Sequence, residues 1–441
     1  AFSGSTPPQE RSAIYLLPIA TGEPRQVTFP LAGYAGDSDP VFSPDGRALA
    51  FARPYVTTQG EIFVLPLRPD GSPRGEARRV LLAGQYLSGL AWAPEGGAII
   101  FSSLREGSQT LWKVKVSGSG QPERLSIAGN RAYQPSVARR ARRLVYRDFV
   151  EDTNIWRMPW LGSGQGGGKL PGTPVKLIAS TWLDDSPQYS PDAQRIAFAS
   201  NRSGTHEIWV CRHDGSHCNP LTSVGGMDVG SPRWSPDGRW IVFDRVDRGR
   251  RHLEVTSAEG GVPKRLTSEP FNHVRPSFSR DRKWIYFGCD RTGRWEIWKM
   301  PAPGGAPVQV THEGGGREGF ESVDGKYLYY DKEGTYTLWR VPVNGGREEL
   351  AVPPPIRHGH WAIVAGGFLI VNPEAKPAPA LELFRFSTGR RSTLQPLLHL
   401  GLNPGRGFST PALAVSPDER WILYVQMDRN SSDLMLVENF R

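Results

Sequence analysis

The stretch SPDAQRIAFASNRSGTHEIW at residues 190–209 returns in altered form as SRDRKWIYFGCDRTGRWEIW at residues 279–298. Each copy contains a tight turn, an apolar run, a polar loop and an aliphatic residue followed by Trp. This last pair occurs at Leu111-Trp112, Ile155-Trp156, Ile208-Trp209, Ile297-Trp298 and Leu338-Trp339. Recurrence at a period of about 40 to 50 residues predicts that one supersecondary unit is repeated along the chain.

The turn at the start of a unit reads Ser-Pro-Asp-Gly or a degenerate copy of it, as at residues 43–46 and 235–238. Proline fixes φ, aspartate accepts a local hydrogen bond and glycine tolerates positive φ, so the motif reverses the chain tightly. The run that follows, such as Trp240-Ile-Val-Phe243, is apolar at every position. Such a run predicts a strand that is covered on both faces.

Four short strands per unit and the absence of any amphipathic helix pattern predict an all-β fold, a β-propeller of four-stranded antiparallel blades. A β-sandwich has too few strands for so many units. We expect the units near residues 37–82, 87–127, 132–178, 184–223, 229–268, 274–312, 317–353, 358–397 and 411–440, with strands of a partial blade at 1–29.

The number and closure of the blades follow less directly from the sequence. We expect one ring of about eight blades (seven to nine) over residues 1–441, in which both termini complete one blade. Gln26-Val27-Thr28 would then supply the outer strand that the unit at 411–440 lacks. The alternative is that the units are divided between two propellers.

Composition excludes several classes of protein. No stretch approaches the roughly 18 apolar residues of a membrane span. The formal charge of +9 includes basic clusters at Arg139–Arg143 and Arg248–Arg251. Both clusters fall in predicted turns with acidic residues nearby along the chain, so we expect solvated loops and no nucleic-acid partner.

The three cysteines are too few for a disulfide framework. Cys211 and Cys218 flank a predicted turn, so they are either a cross-strand disulfide of an oxidising compartment or two buried thiols. With His213 and His217 they also offer four zinc ligands, but the spacing matches no standard zinc module. We therefore expect no metal site and no cofactor.

The turn, the apolar strand and the loops Asn201-Arg-Ser-Gly204 and Asp290-Arg-Thr-Gly293 before Ile-Trp resemble the TolB-like, WD-repeat-like β-propellers of bacteria. The resemblance covers almost the whole chain. It implies a propeller that forms part of a larger bacterial regulator, and it favours an extracytoplasmic, periplasmic location over a cytoplasmic one.

In a propeller the first strand of each blade lines the channel, so polar residues at its start crowd one mouth. The alternative is that these residues belong to solvated loops or cap turns. By this rule we predict a ligand-binding mouth formed by Asp39, Gln134, Asp185, His273, Arg275, Glu321, His358 and His360.

No nucleophile elbow, phosphate loop or kinase signature occurs in the chain, so we expect no catalytic residue. The predicted function is non-enzymatic binding of a protein or peptide, or of a small ligand, at the channel mouth. The alternative is a propeller enzyme, a polysaccharide lyase or a hydrolase. Its metal-assisted site would use His273, His358 and His360.

Overall fold

The computed structural model describes residues 1–5, 11–19, 21–30, 34, 36–56, 59–85, 87–104, 108–118, 121–138, 142–163, 172–225, 228–247, 250–302, 304–332, 334–397 and 412–440. Within these ranges the chain forms 36 β-strands and no α-helix, so none of them contains a helix that could cross a membrane. Of the two basic clusters, residues 139–141 and 248–249 lie outside the described residues.

The strands assemble into nine antiparallel sheets in the described part of the chain. The strands of the first three sheets are consecutive in sequence. They are β1 (Phe2–Gly4), β2 (Ala13–Leu16) and β3 (Arg25–Gln26) in sheet 1; β4 (Ser38–Phe42), β5 (Ala48–Val56), β6 (Gln59–Pro66) and β7 (Arg78–Gln85) in sheet 2; and β8 (Ser88–Trp92), β9 (Ala98–Ser103), β10 (Thr110–Lys115) and β11 (Glu123–Arg124) in sheet 3.

Sheet 4 combines two distant parts of the sequence. Its strands are β12 (Ala132–Ala138), β13 (Arg143–Pro159), β14 (Val175–Ile178), β35 (Leu413–Val415) and β36 (Trp421–Val437). They lie in the order β12-β13-β36-β35, and β14 pairs with β13.

The other five sheets each contain four strands that are consecutive in sequence and in space. They are β15 (Asp184–Tyr189), β16 (Arg195–Ser200), β17 (Glu207–Arg212) and β18 (Asn219–Pro220) in sheet 5; β19 (Val229–Trp234), β20 (Trp240–Asp247), β21 (Arg250–Ser257) and β22 (Lys264–Arg265) in sheet 6; β23 (His273–Phe278), β24 (Trp284–Cys289), β25 (Glu296–Pro301) and β26 (Val308–Gln309) in sheet 7; β27 (Gly319–Glu321), β28 (Tyr327–Lys332), β29 (Thr337–Pro342) and β30 (Glu349–Val352) in sheet 8; and β31 (Trp361–Val364), β32 (Gly367–Asn372), β33 (Ala380–Arg385) and β34 (Arg390–Pro396) in sheet 9.

The chain divides into two compact units. Unit 1 contains residues 1–150 and 430–441, and unit 2 contains residues 151–429. The boundaries fall within β13, between Val150 and Glu151, and within β36, between Arg429 and Asn430. Unit 2 is therefore one continuous segment, whereas unit 1 is made from two segments.

Unit 2 is a closed ring of six four-stranded sheets, counted over its described residues. The sixth sheet consists of β35, β14 and the parts of β13 and β36 that lie within 151–429. An apolar core lies between each sheet and the next, and the last core returns to the first sheet. The six cores contain Ile155 with Phe198, Ala197 with Phe243, Val242 with Phe287, Tyr286 with Tyr330, Leu338 with Phe368, and Leu369 with Tyr424.

The apolar runs of unit 2 serve two cores at once. Successive side chains of a strand point to opposite faces of its sheet. On β16, Ile196 and Phe198 therefore pack toward sheet 4, whereas Ala197 and Ala199 pack toward sheet 6. This double burial explains why the runs do not alternate with polar residues.

The predicted turns form as a repeated hydrogen-bond unit. In the turn before β20, Ser235 Oγ donates to Asp237 Oδ1 at 2.6 Å and accepts from the backbone N of Trp240 at 3.0 Å. The same bonds occur at Ser43, Ser190, Ser279, Ser322 and Ser416. In each turn the serine fixes the first residues of the following strand.

Closure differs from the expectation that both termini complete one blade. Arg25 and Gln26 of β3 pair with Leu16 and Tyr15 of β2. The two strands therefore form a hairpin within the first 26 residues. The C-terminal strand β36 instead neighbours β13. Among the described residues, the segment at 25–26 thus pairs with β2, and the unit at 411–440 is joined to the earlier strand β13.

Candidate binding site

The first strands of the sheets in unit 2 lie next to one another and surround the axis of the ring. Three of them carry a residue with positive φ immediately before a proline: Ser186 (54°) on β15, Ser231 (52°) on β19 and Arg275 (48°) on β23. The pairing of each strand with the next shifts by one residue at this point. A bulge of this kind re-aims the side chains beside it and is common next to functional sites.

Arg275 is the first member of a group of buried charged and titratable side chains at this end of the ring. Its backbone N donates to Asp244 Oδ2 at 2.9 Å, which fixes the bulge. Its Nη1 atom lies 3.8 Å from Glu318 Oε2 and 4.0 Å from Asp331 Oδ2. These distances allow ion pairing, although they are longer than direct hydrogen bonds.

Asp331 connects the arginine to His358. Its Oδ2 atom accepts from His358 Nδ1 at 2.8 Å, and its Oδ1 atom accepts from the backbone N of Arg317 and of Glu318. Burial favours the protonated acid, but the hydrogen bond and charge of His358, followed by the charge of Arg275, outweigh it and lower the pKa of Asp331. Asp331 is therefore a carboxylate at neutral pH.

His360 is held in its neutral form beside this carboxylate. Burial lowers the pKa of His360 to about 3, so its Nδ1 carries the proton and donates to the carbonyl O of His358 at 2.9 Å. The backbone N of His360 also donates to the carbonyl O of Arg357. These bonds fix the loop that brings both histidines to the start of β31.

Glu318 is buried immediately before β27, and burial raises its pKa. Neither carboxylate oxygen accepts a hydrogen bond from any residue that the structure describes. Arg275 is its ion-pair partner, at 3.8 Å. A buried carboxylate without hydrogen bonds is costly, so the site has unused capacity to bind a donor.

Arg233 reaches across the channel. It belongs to sheet 6, yet its guanidinium carbon lies 5.0 Å from the centre of the Phe320 ring in sheet 8, and sheet 7 lies between them in the ring. Burial, offset in part by the negative charge of Glu318, lowers the pKa of Arg233 to about 10, so Arg233 stays protonated at neutral pH. Arg233, Arg275, Glu318, Asp331, His358 and His360 are called the mouth cluster below.

Of the eight residues predicted from the sequence, three belong to the mouth cluster: Arg275, His358 and His360. His273 lies away from it, in the core beside Phe287, with its Nε2 atom 3.4 Å from Glu269 Oε2. Burial lowers the pKa of His273 to about 4. The three histidines of the alternative metal-assisted site are therefore not brought together.

Glu321 and Asp185 have other surroundings. Glu321 accepts from the Tyr286 hydroxyl at 2.8 Å and from the backbone N of Arg280 at 2.7 Å, so it stabilises the turn of sheet 7. Asp185 is half-buried on β15, opposite Ala199.

Asp39 and Gln134 belong to unit 1, where they occupy the same bulge position with φ of 52° and 48°. Burial raises the pKa of Asp39 despite hydrogen bonds from Ser38 and from the backbone of Gly89. Gly89 in turn touches Gln134, since a Cβ on Gly89 would lie 2.5 Å from the Cα of Gln134. Asp39 and Gln134 thus lie on first strands of sheets in unit 1.

The sequence interpretation missed Arg233, Glu318 and Asp331. Arg233 had a recognisable signal, because it is a charged residue inside the otherwise apolar stretch Pro232-Arg-Trp234. Glu318 stands just before the inner strand β27, which is the position searched for mouth residues. It was missed because this degenerate unit was aligned on Glu321, three residues later. Asp331 ends the second strand of its sheet, a position to which the rule did not apply.

The structure distinguishes between a disulfide and two free thiols at Cys211 and Cys218. Cys211 and Cys218 form a disulfide across the hairpin, and Cys289 is a buried free thiol. Sulfur atoms that are joined in a disulfide do not act as thiolate ligands of zinc. Over the described ranges, no three His, Cys, Asp or Glu side chains are grouped as a metal site requires.

The repeat of unit 2 is shared with known proteins. Residues 177–351 match the family model for the TolB beta propeller domain. The Tol-Pal system protein TolB of Francisella tularensis subsp. mediasiatica is 29% identical over 230 residues, which cover 51% of this chain and 49% of that protein. The Tol-Pal system protein TolB of Anaeromyxobacter dehalogenans is 32% identical over 185 residues, which cover 39% of this chain and 41% of that protein.

The chain thus spans about half the length of the curated relatives it matches, or less. The crystal structure of TolB from Acinetobacter baumannii aligns with 79% of this chain and 78% of its own, with 15% identity and a TM-score of 0.37. A score of this size adds no argument to the sequence matches.

A closed ring of six four-stranded antiparallel sheets defines a β-propeller. The prediction of an all-β, multi-blade propeller is therefore confirmed. The matches to the TolB family model and to TolB proteins confirm the predicted resemblance to the TolB-like β-propellers as well.

Proposed function

We propose that the chain is a non-enzymatic binding domain of a larger bacterial regulator and that unit 2 binds a protein or peptide segment at its mouth cluster. The observation that carries this proposal is the convergence of six charged or titratable side chains at one end of the ring, of which five are buried and His358 is half-buried. Among them, Glu318 accepts no hydrogen bond from the described residues. Convergent polar groups in a concave site are typical of ligand recognition.

The ring favours binding over chemistry. Asp331 is held as a carboxylate and His360 as a neutral imidazole by contacts within the ring. Fixed groups of this kind recognise a ligand without exchanging protons with it, whereas a general acid or base needs a pKa near the working pH. The relatives are named as proteins of the Tol-Pal system, which makes a protein partner the most economical choice.

An extracytoplasmic, periplasmic location is part of the proposal. The Cys211–Cys218 disulfide supports it, because disulfides persist in oxidising compartments.

The test is a selection of random 12-residue peptides displayed on phage against the immobilised full chain. Recovered peptides are then synthesised and their Kd values measured by fluorescence anisotropy. The wild type is compared with His358→Ala and Arg275→Lys, and with Arg282→Ala as the matched control. Arg282 pairs with Asp237 in an exposed turn and is not part of the mouth cluster.

We expect both mouth variants to weaken binding at least tenfold and Arg282→Ala to leave it unchanged, with thermal melting confirming that all variants fold. Recovery of no peptide above background would contradict the proposal, as would equal binding by all variants. Mass spectrometry of the peptides after incubation tests the non-enzymatic part, since cleavage by the wild type would overturn it.

A further inference from the structure

Arg233 differs from several other arginines in having no carboxylate partner among the residues that the structure describes. Arg53 pairs with Asp37 at 2.6 Å, Arg202 pairs with Asp184 at 2.7 Å, and Arg251 pairs with Asp228 and Asp244. Arg233 is buried, 7% exposed, and no carboxylate oxygen of the described residues lies within 4.0 Å of its guanidinium.

The hydrogen bonds of Arg233 are also incomplete. Its Nη1 atom donates to the carbonyl O of Pro232 at 3.3 Å. Among the described residues, this is the one hydrogen bond that the Arg233 guanidinium makes. A guanidinium has five N–H donors in a planar fork that matches a carboxylate. A cation that burial removes from most of its water is costly, and an anion that pairs with it offsets much of that cost.

The surroundings of Arg233 favour an anion from outside the ring. Arg275 adds a second positive charge, while its own carboxylate contacts, Glu318 and Asp331, lie at 3.8 and 4.0 Å. The charge of Glu318 acts on Arg233 only from a distance, because no carboxylate oxygen of the described residues lies within 4.0 Å of the Arg233 guanidinium. The face of Phe320 supports the Arg233 guanidinium at 5.0 Å and holds it within the channel.

We infer that Arg233, assisted by Arg275, binds a carboxylate of the ligand at the floor of the mouth. This inference rests on the proposed function and specifies the chemistry of its ligand. The carboxylate belongs either to an acidic side chain or to the C-terminus of a peptide. Both present two oxygens to a guanidinium fork, and charge-assisted pairs of this kind are the stronger hydrogen bonds in proteins.

The experiment uses two sets of probes on the full chain. The first set is glutarate and its neutral analogue glutaramide, with binding followed by isothermal titration calorimetry and thermal shift. The second set consists of the peptides recovered in the selection, each also made with a C-terminal amide and with Asp and Glu replaced by Asn and Gln. The protein variants are Arg233→Gln and Arg233→Lys, with Arg282→Gln as the control on an exposed turn.

We expect glutarate, but not glutaramide, to bind and stabilise the wild type and Arg282→Gln. Arg233→Gln should weaken glutarate binding at least tenfold, and Arg233→Lys should weaken it less, because the charge is kept and the fork is lost. In the peptide set, loss of binding on amidation identifies a C-terminal carboxylate, and loss on the Asn and Gln replacement identifies an acidic side chain.

The inference is overturned if neutral and charged probes bind the wild type alike, or if Arg233→Gln binds carboxylates as the wild type does. Peptides that bind through the mouth cluster regardless of their carboxylates would overturn it while leaving the proposed function intact. If Arg233→Gln does not fold, Arg233→Lys and the paired probes on the wild type give the same decision.

Discussion

His358 Nδ1 lies 2.8 Å from Asp331 Oδ2, and the same carboxylate accepts two backbone N–H groups through its other oxygen. One buried side chain therefore holds together the loop before β27, the end of β28 and the loop before β31. Removing one partner of a buried charge pair is strongly destabilising, because the remaining charge is left without compensation.

Asp331→Asn should accordingly lower the free energy of unfolding by about 3 kcal/mol. The variant loses the negative charge beside Arg275 and one acceptor of the His358 bond. Chemical denaturation measures the change, and Asp324→Asn in an exposed turn of the same sheet is the control, with an expected loss of about 1 kcal/mol or less. Equal losses for the two variants would contradict the assigned role of Asp331.

The protein should lose stability as the pH falls from about 6.5 toward 4. Burial lowers the pKa of His273 to about 4 and that of His360 to about 3, while an unfolded histidine titrates near 6.5. Above pH 6.5 both states are neutral and these histidines contribute no pH dependence. Below it the unfolded state binds protons that the folded state does not, so unfolding is favoured by up to about 1.4 kcal/mol per pH unit for each histidine.

Replacement of His273 by Phe isolates one of these contributions. The ring of Phe would retain the contact with Phe287 and remove the titrating group. Thermal unfolding of wild type and variant between pH 7.5 and 4.5 should show a shallower decline for the variant. An unchanged slope would show that His273 is protonated in the folded protein.

Gly316→Ala should disturb the mouth cluster from outside it. A Cβ on Gly316 would lie 1.5 Å from the carbonyl O and 2.3 Å from the Oδ1 of Asp331, so the backbone must move. Gly230→Ala is the matched control, because no atom lies within 4 Å of its added Cβ. We expect Gly316→Ala to lower the melting temperature by several degrees and to weaken glutarate binding, and the control to leave binding unchanged.

The number of accessible thiols should depend on reduction. In denaturant without reductant, only Cys289 should react with a thiol reagent, and after reduction all three cysteines should react. The Cys211→Ala/Cys218→Ala double variant should lose about 2 kcal/mol of stability, as expected for a short closed loop. Three reactive thiols before reduction would show that the disulfide does not form.

Ser235→Ala tests the repeated turn. The variant loses the donor to Asp237 and the acceptor for the backbone N of Trp240, so we expect a loss of about 1 kcal/mol. Ser203→Ala, in an exposed loop where the hydroxyl donates over 3.3 Å to the carbonyl O of Thr205, should lose less than half as much. Similar losses would mean that the turn does not depend on its serine.

The fold could be predicted from the sequence because its signals are local. The Ser235 turn and the doubly buried run Ile241-Val-Phe243 each act within a few residues, so their repetition identifies the blade. Closure could not be predicted in this way. Gln26 carries no feature that distinguishes pairing with Tyr15 from pairing with a distant strand, and the structure contains both kinds of pairing, since β36 neighbours β13.

The site was predicted in part for the same reason. Arg275, His358 and His360 stand at a definable position, the start of an inner strand. His273 stands there too, but its side chain packs in the core beside Phe287, because the bulge at Arg275 separates two side chains that strand alternation alone would place on one face. Arg233 depends on which sheets face each other across the channel, and only the closed ring determines that Phe320 lies opposite.

The division of the chain within β13 and β36 has a consequence for synthesis. Residues 151–429 leave the ribosome as one uninterrupted block, so unit 2 has all of its strands before translation is complete. Unit 1 begins earlier and finishes later, because Arg147 of β13 meets its hydrogen-bond partner Ser432 only when residues 430–441 emerge. Assembly of unit 1 therefore waits for a segment that is made after unit 2, and a ribosome that stalls between the two would leave a complete binding ring and an unfinished unit 1.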